Sequence, residues 1–376
     1  MKVVHLIPDE KFTIRKIQFY DCYLKEDEHE FCIVVDGDTC KYYSGNNPYS
    51  LKQRTVRKSD LKKPSHLLRF VKYLKGFDYV VFHGLVIEMV SLFIPARKIV
   101  WIEWGSDLYD YLLPGNSLQN KARNLAKKKI RQRIPFFVAI FPPDIDYYKS
   151  HLKSRNKHLY YAEYIEGDGS DRSTYDFSIV SRLETAHTNG EPISVLIGHN
   201  AKVQLNHLQV LRMLEKYKNE NIRVVLSLSY GGSTEYVDQV ETLARSLFGE
   251  KAVVLKDFIP LEEYIRIIEG IDIAVFDTDR QIGLGNITAM ALKKVKLYFR
   301  ESGVMYPYYL EKGIPVQGIS QIQRESFSEF SSPVESNSQE AFREYIRKDL
   351  DFNYQTERWK SIFRSLEDIK KKKEQN

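Results

Sequence analysis

Ile193-Ser194-Val195-Leu196-Ile197-Gly198 is an apolar run of strand length closed by a glycine, and it opens the stretch that decides the fold. Leu208, Leu211, Met213, Leu214 and Tyr217 follow at roughly helical spacing. Arg223–Leu228 predicts a second strand, closed by Tyr230-Gly231-Gly232, and Tyr236, Val240, Leu243 and Leu247 form a second helical stripe. Val253–Leu255, Ile271–Phe276 and Val295–Phe299 predict three more strands. A helix over Leu261–Ile268 and another opening at Gly283-Leu284-Gly285 separate them. Regular strand–helix alternation implies a parallel sheet covered on both faces.

Working outward, the first half alternates less regularly. Its strand candidates are Val3–Ile7, Phe31–Val35, Tyr79–Phe82, Ile99–Glu103 and Phe136–Phe141. A second α/β domain is the economical reading, because 376 residues suit two cores better than one. The polar stretch 166–192 is the natural boundary. The expected organisation is therefore an N-terminal Rossmann-like domain over 1–175 and a second over 190–320. Helices over 321–376, at Ala341–Leu350 and Thr356–Lys371, pack back on the first domain.

Composition narrows the function classes. The apolar fraction is 43% and the formal charge +6, so the chain is a packed globular protein with a modest basic excess. Cys22, Cys32 and Cys40 form no Cys-x-x-Cys pair, which argues against a disulfide framework and a structural zinc site. No apolar run approaches the ~20 residues of a spanning helix, and the N-terminus turns polar too soon for a secretory signal. A cytoplasmic location is expected. Lys121, Arg123, Lys127, Lys128, Lys129, Arg131 and Arg133 follow one another without an acid. With Leu118, Ala122, Leu125, Ala126, Ile130 and Ile134 at three- and four-residue spacing, they predict a basic amphipathic helix. One reading lays it peripherally on an anionic membrane, with Lys127, Lys128, Lys129 and Arg131 at the surface; the other packs it on the first domain.

Ligands of open parallel sheets bind beyond the carboxyl ends of the strands, so the residues just after each strand are the candidates. In the second half these are Gly198-His199-Asn200 with His207, then Tyr230-Gly231, and Arg280-Gln281-Ile282-Gly283-Leu284-Gly285-Asn286 before a helix. Glycines let a ligand approach the backbone, a helix N-terminus offers N–H groups to phosphate, and Arg280 adds a charged fork. An ordinary glycine-bearing loop with a solvated arginine reads the same, and His207 reads equally as a packed histidine. Tyr230 and Tyr264 are candidates to pack on a base or ribose. Asp277-Thr278-Asp279 reads as a strand-end turn rather than a metal site, and no metal or other cofactor is expected. In the first half, Trp101-Ile102-Glu103-Trp104-Gly105-Ser106-Asp107-Leu108-Tyr109 sets tryptophans beside carboxylates, as a sugar platform does, and His83-Gly84 follows a neighbouring strand. Core tryptophans with an N-cap are the alternative.

These strings resemble the 4-acetamido-4,6-dideoxygalactosyltransferases, glycosyltransferase family 56. The resembling pieces are Phe82-His83-Gly84, Trp101-x-x-Trp104-Gly105-x-Asp107-Leu108-Tyr109, Gly198 with His207, Tyr230, Arg280-Gln281-x-Gly283-x-Gly285, and Asn353-Tyr354 with Trp359. The chain departs from the family pattern at Ile102, where a histidine stands, at His199-Asn200, where Asn-Ser stands, and at Asn286, where Thr stands. The resemblance implies a GT-B fold of two facing Rossmann-like domains. It implies transfer of an amino-deoxy sugar such as Fuc4NAc from a dTDP or other nucleotide-diphospho donor to a lipid-linked glycan, as in enterobacterial common antigen. Asp107 and Glu103 are then the catalytic candidates, and His83, Gly84, Trp104, Gly105 and Tyr109 face the acceptor. Gly198, His199, Asn200, His207, Tyr230, Gly231, Tyr264, Arg280, Gln281, Gly283, Gly285 and Asn286 face the donor. No nucleic acid is expected as a partner. A sugar-nucleotide epimerase and a non-catalytic membrane- or nucleic-acid-binding module are the alternatives.

Overall fold

A computed structural model describes residues 1–43, 49–112, 115, 117–152, 158–165, 167, 182–183, 190–257, 259–333, 344–345, 348 and 351–375. Its chain divides into two compact units, Met1–Ser173 with Lys348–Asn376, and Thr174–Arg347. Most of the stretch 166–192 and of the helix expected at Ala341–Leu350 lies outside the described residues.

The first unit is built on seven parallel strands. They are β1 (Lys2–Pro8), β2 (Glu28–Val35), β3 (Lys52–Arg57), β4 (Tyr79–His83), β5 (Ile99–Ile102), β6 (Phe136–Ala139) and β7 (His158–Tyr161). Their order across the sheet is β3-β2-β1-β4-β5-β6-β7. Helices α1 (Thr13–Tyr23), α2 (Pro64–Lys75), α3 (Ser106–Tyr109), α4 (Leu118–Arg133) and α5 (Pro143–Leu152) connect them. β1 and β4 are buried along nearly their whole length because both sheet faces are covered, which is why they read as unbroken apolar runs.

The second unit repeats the plan with β8 (Ile193–Ile197), β9 (Ile222–Ser227), β10 (Ala252–Leu255), β11 (Ile273–Phe276), β12 (Lys296–Phe299) and β13 (Val316–Gly318), all parallel, in the order β10-β9-β8-β11-β12-β13. Its helices are α6 (His207–Leu214), α7 (Thr234–Phe248), α8 (Leu261–Glu269), α9 (Leu284–Leu292), α10 (Met305–Glu311) and α11 (Phe327–Phe330). The chain then returns to the first unit as α12 (Phe352–Glu374). Trp359, Ile362, Phe363 and Leu366 of α12 belong to the core under β1, β2 and β4, and the Tyr79 hydroxyl donates to the Leu366 carbonyl at 2.7 Å.

In both sheets the strand order reverses direction beside the first strand, between β1 and β4 and again between β8 and β11. Such switch points open a crevice at the carboxyl ends. Three strands carry no sequence expectation: β3, β7 and β13 are edge strands. β3 is mostly exposed and polar, and β13 has three residues, so neither shows an apolar run.

Candidate active site

At the switch point of the second sheet, three glycine turns meet at the segment Gly198-His199-Asn200. β8 ends at Gly198, with φ +62°, and its N–H donates to the Val275 carbonyl of β11 at 2.9 Å. His199 follows, buried, with its Nε2 3.0 Å from Asn200 Nδ2, while Asn200 Oδ1 accepts from the Lys202 N–H at 2.9 Å. Gly231, with φ +90°, approaches Asn200, and the Ala201 N–H donates to the Tyr230 carbonyl. Gly283, with φ +68°, starts α9 directly against the His199 ring. The turns that follow β8, β9 and β11 thus form one floor, as the glycine pattern predicts.

Above that floor, no side chain among the described residues caps the first turn of α9 and no acid stands in it, so its N–H groups and its positive end suit an anion. Gly285 is exposed, and a Cβ there would meet no neighbour. No packing reason requires a glycine at that point, whereas close approach of a ligand would. Tyr264 accepts a hydrogen bond from Asn286 Nδ2 at 2.9 Å, and burial with Tyr230 nearby pushes its phenol up to about 12. Tyr230 itself is exposed.

Arg280 differs from the expected outstretched fork. It is buried, and its Nε donates to the Gln281 carbonyl at 3.2 Å, which folds the side chain back over its own loop beside buried Gln281. A second arginine escaped the sequence reading: Arg300, after β12, donates from Nε to Asp277 Oδ1 at 2.7 Å. The Asp277 carbonyl accepts from Asn206 Nδ2, so this aspartate ties strand ends together. Among the described residues, no group of three or more His, Cys, Asp or Glu side chains is arranged to hold a metal ion. His207 is corrected from donor contact to support. It is fully buried, its Nδ1 lies 3.1 Å from the Tyr236 hydroxyl, and its ring packs beneath Gly198. Burial pushes its imidazole down to about 4.

At the switch point of the first sheet, β4 ends at His83-Gly84 and β5 runs into Glu103-Trp104-Gly105. Gly84, with φ +64°, lies under the Trp104 side chain, and its N–H donates to the Ile102 carbonyl at 2.8 Å. The two acids proposed as catalytic are both committed to the fold. Glu103 is fully buried and accepts from the Gly105 N–H and, at 3.1 Å, from the Ile140 N–H. Burial and the adjacent Asp144 carboxyl hold it well above the usual carboxylate range. Asp107 accepts from the Trp104 N–H at 2.8 Å, the Leu85 N–H at 3.2 Å and the Trp101 indole N–H. Tyr109 donates to Asp144. Each carboxyl oxygen of Glu103 and Asp107 already holds a backbone or indole donor, so the pair clamps the β5–α3 turn rather than standing free as a base. Trp101 is core, with no exposed surface.

The helix α4 divides along its length. Ile130 is buried and Ile134 follows it into the core, but Leu118 and Leu125 are 86% and 59% exposed, and Ala122 and Ala126 are also exposed. Arg131 is corrected from surface to interior. It pairs with Glu88 at 2.8 Å, donates to the Asp107 carbonyl and lies over the Tyr111 ring. Lys127 joins it on Glu88 at 3.3 Å. Lys121, Arg123 and Lys129 are exposed. No helix among the described residues is long and apolar enough to cross a membrane.

Two parallel, doubly wound α/β units are the architecture of the GT-B glycosyltransferases. Residues 65–316 match the family described as 4-alpha-L-fucosyltransferase glycosyl transferase group 56, and the chain belongs to that family. Solved structures of similar fold include a glycosyltransferase from Rickettsia africae, 15% identical with a TM-score of 0.64, covering 97% of this chain and 98% of that one. Anabaena Alr3699/HepE in complex with UDP-glucose is 11% identical with a TM-score of 0.65, covering 98% and 100%. Sucrose-phosphate synthase from Thermosynechococcus elongatus is 12% identical with a TM-score of 0.65, covering 98% and 100%.

Proposed function

We propose that the enzyme moves an amino-deoxy sugar, of the Fuc4NAc kind, from a dTDP or related nucleotide-diphospho donor to a hydroxyl of a lipid-linked glycan in surface polysaccharide synthesis. The meeting of the three turns, Gly231 against Asn200 and Gly283 against His199 just after Gly198, at the uncapped start of α9, carries this reading. The diphosphate lies on those backbone N–H groups, which stand ready for the charge that grows on it as the sugar departs. Arg280, Gln281 and Asn286 border it, and Tyr230 and Tyr264 pack on the base or ribose. The complex of the Anabaena neighbour with UDP-glucose supports a nucleotide sugar on this fold. No metal is needed for the diphosphate in this scheme.

The acceptor belongs to the carboxyl edge of the first sheet, at His83, Gly84, Trp104, Gly105 and Tyr109. A lipid-linked acceptor stays in the bilayer, so the enzyme works peripherally on the inner face of the cytoplasmic membrane. The exposed leucines and basic residues of α4 support that placement, as do Met89, Leu92 and Phe93, exposed on the 3₁₀ turn Glu88–Phe93 to which Lys127 and Arg131 tie α4. A thermal-shift screen of nucleotide sugars tests the donor, because binding raises stability by RT ln(1 + [L]/Kd). A dTDP-sugar is expected to stabilise most. Stabilisation by none of the nucleoside diphosphates or their sugars removes the donor site, and epimerised donor without released nucleoside diphosphate removes transfer.

A further inference from the structure

Three buried histidines cross the first sheet in a hydrogen-bonded row. His29 on β2, His5 on β1 and His83 at the end of β4 are joined by His5 Nε2 to His29 Nδ1 at 2.9 Å and His5 Nδ1 to His83 Nε2 at 3.0 Å. Burial pushes all three imidazoles down, His29 to about 3, so the row is uncharged near neutral pH. Tyr20 packs edge-on against each ring, at 4.5, 5.0 and 6.2 Å between centroids.

A neutral imidazole has one N–H and one bare nitrogen. His5 uses both nitrogens in the row, so it donates one bond and accepts the other. Only two proton arrangements are therefore self-consistent. In the first, all three rings are Nε2–H tautomers and the bonds run from His83 to His5 to His29. In the second, all three are Nδ1–H tautomers and both bonds reverse. The surroundings choose between them. The Leu24 backbone favours a proton on His29, and Nδ1 faces His5, so that proton belongs on Nε2 even though Nε2 closes no hydrogen bond of ordinary geometry. The Lys16 ammonium acts on His5 and His83, and a cation at that end favours a bare nitrogen there. The Met1 ammonium pulls the opposite way at His29, but Asp27 neutralises it at 2.6 Å. The first arrangement prevails and leaves His83 Nδ1 as a bare acceptor.

Among the described residues that nitrogen has no partner. Beside it the Trp104 ring stands edge-on, 6.4 Å between centroids, and its Nε1–H is a buried donor equally without a partner. Buried polar atoms are rarely left unpaired, and a hydroxyl is the group whose chemistry suits both, since it accepts from an N–H and donates to a bare ring nitrogen. We propose that His83 Nδ1 and Trp104 Nε1 bind one alcohol hydroxyl of the acceptor glycan, and that His5 and His29 are positioning residues holding His83 in the tautomer this bond requires. The proposal rests on the acceptor role given above to this edge. Trp104 is half-buried whereas His83 is sealed, so the indole is the part of the pair nearer solvent.

Long-range ¹⁵N–¹H correlation spectra of the full ¹⁵N-labelled chain at pH 7 read each tautomer, with single histidine substitutions giving the assignments. His5, His29 and His83 are expected as Nε2–H; His83 found as Nδ1–H overturns the proposal. In His29→Phe the acceptor for His5 Nε2–H is gone, and His83 is expected to change to Nδ1–H. In His29→Gln the side-chain oxygen still accepts, and His83 is expected to stay Nε2–H. An unchanged His83 in a folded His29→Phe, or a changed one in His29→Gln, removes the positioning role. Octyl N-acetyl-β-D-glucosaminide, a soluble lipid-tailed glycan, is then titrated in. The His83 and Trp104 Nε1–H resonances are expected to move together, and no movement means the pair holds only an ordered water. Release of nucleoside diphosphate, assayed separately, reports on sugar transfer itself and leaves the tautomer result standing either way.

Discussion

The imidazole of His199 lies flat against Gly283: a Cβ on that glycine would stand 2.8 Å from His199 Nδ1. The contact joins the end of β8 to the start of α9, the two halves of the proposed diphosphate floor. Gly283 also has φ +68°, which other residues adopt at a cost of about 1–3 kcal/mol. Gly283→Ala is therefore expected to lower stability by roughly that amount and weaken dTDP binding by at least tenfold. Gly285→Ala, where a Cβ meets open space, should keep the stability and lose only the ligand. Calorimetric titration with dTDP beside a thermal melt checks both, and undiminished affinity in the two variants would move the diphosphate elsewhere.

Glu103→Gln and Asp107→Asn are expected to behave as fold mutations. An amide has one oxygen, so each substitution turns an NH₂ toward an N–H that the carboxyl had satisfied. A buried donor left unpaired costs about 1–3 kcal/mol. Both variants should melt earlier while the turnover of folded enzyme at low temperature stays within a few-fold of the parent. A melt unchanged beside a turnover lost by a hundredfold or more would restore them as catalytic groups.

His207 should make the fold sensitive to acid. Its imidazole falls from an ordinary 6.5 to about 4 in the folded chain, so below pH 6.5 the unfolded chain takes up the proton first. Its stabilising effect is complete above pH 6.5 and is lost as the pH falls toward 4, by up to about 1.4 kcal/mol per pH unit. His207→Gln cannot take up that proton. The loss of Tm between pH 7 and pH 5 should shrink by a few degrees in this variant, and equal losses in both proteins would refute the assignment.

Within α4, membrane contact is expected to depend on the exposed N-terminal part and not on Arg131. Each basic group near an anionic surface is worth roughly 1 kcal/mol. Reversing Lys121, Arg123 and Lys129 to Glu should weaken sedimentation with phosphatidylglycerol vesicles at low salt by about a hundredfold. Leu118→Ser with Leu125→Ser should weaken it further at high salt, where only apolar burial remains. Arg131 is left in place because it anchors Glu88. A parent enzyme that ignores these vesicles would end the membrane reading of this helix.

What the sequence announces follows from packing. β1, β4, β8 and β11 are covered on both faces and stand out as apolar runs, whereas β3 and β7 lie at sheet edges and carry no such mark. Gly198, Gly231 and Gly283 were legible because glycines placed just after strands meet a backbone need, here a positive φ at each. The roles of Glu103 and Asp107 were only partly so: Gly105, Trp104 and Trp101 are local donors, but Ile140 and Leu85 are distant in the chain and are backbone groups that any residue would supply. The row of His29, His5 and His83 was silent: adjacency of β2, β1 and β4 makes it, and nothing in the local pattern does.

The return of α12 sets a schedule for making the protein. The second unit is an insertion within the first, and Trp359, Ile362, Phe363 and Leu366 fill the core under β1 and β2. A ribosome delivers those side chains only after the whole second sheet has emerged. The earlier-made unit must wait with its core open while the later one closes, the reverse of the usual order in which domains mature from the N-terminus. A message broken before codon 352 would leave a sound second unit joined to a first that never seals, and chaperones would meet the nascent chain at the apolar face that α12 is meant to cover.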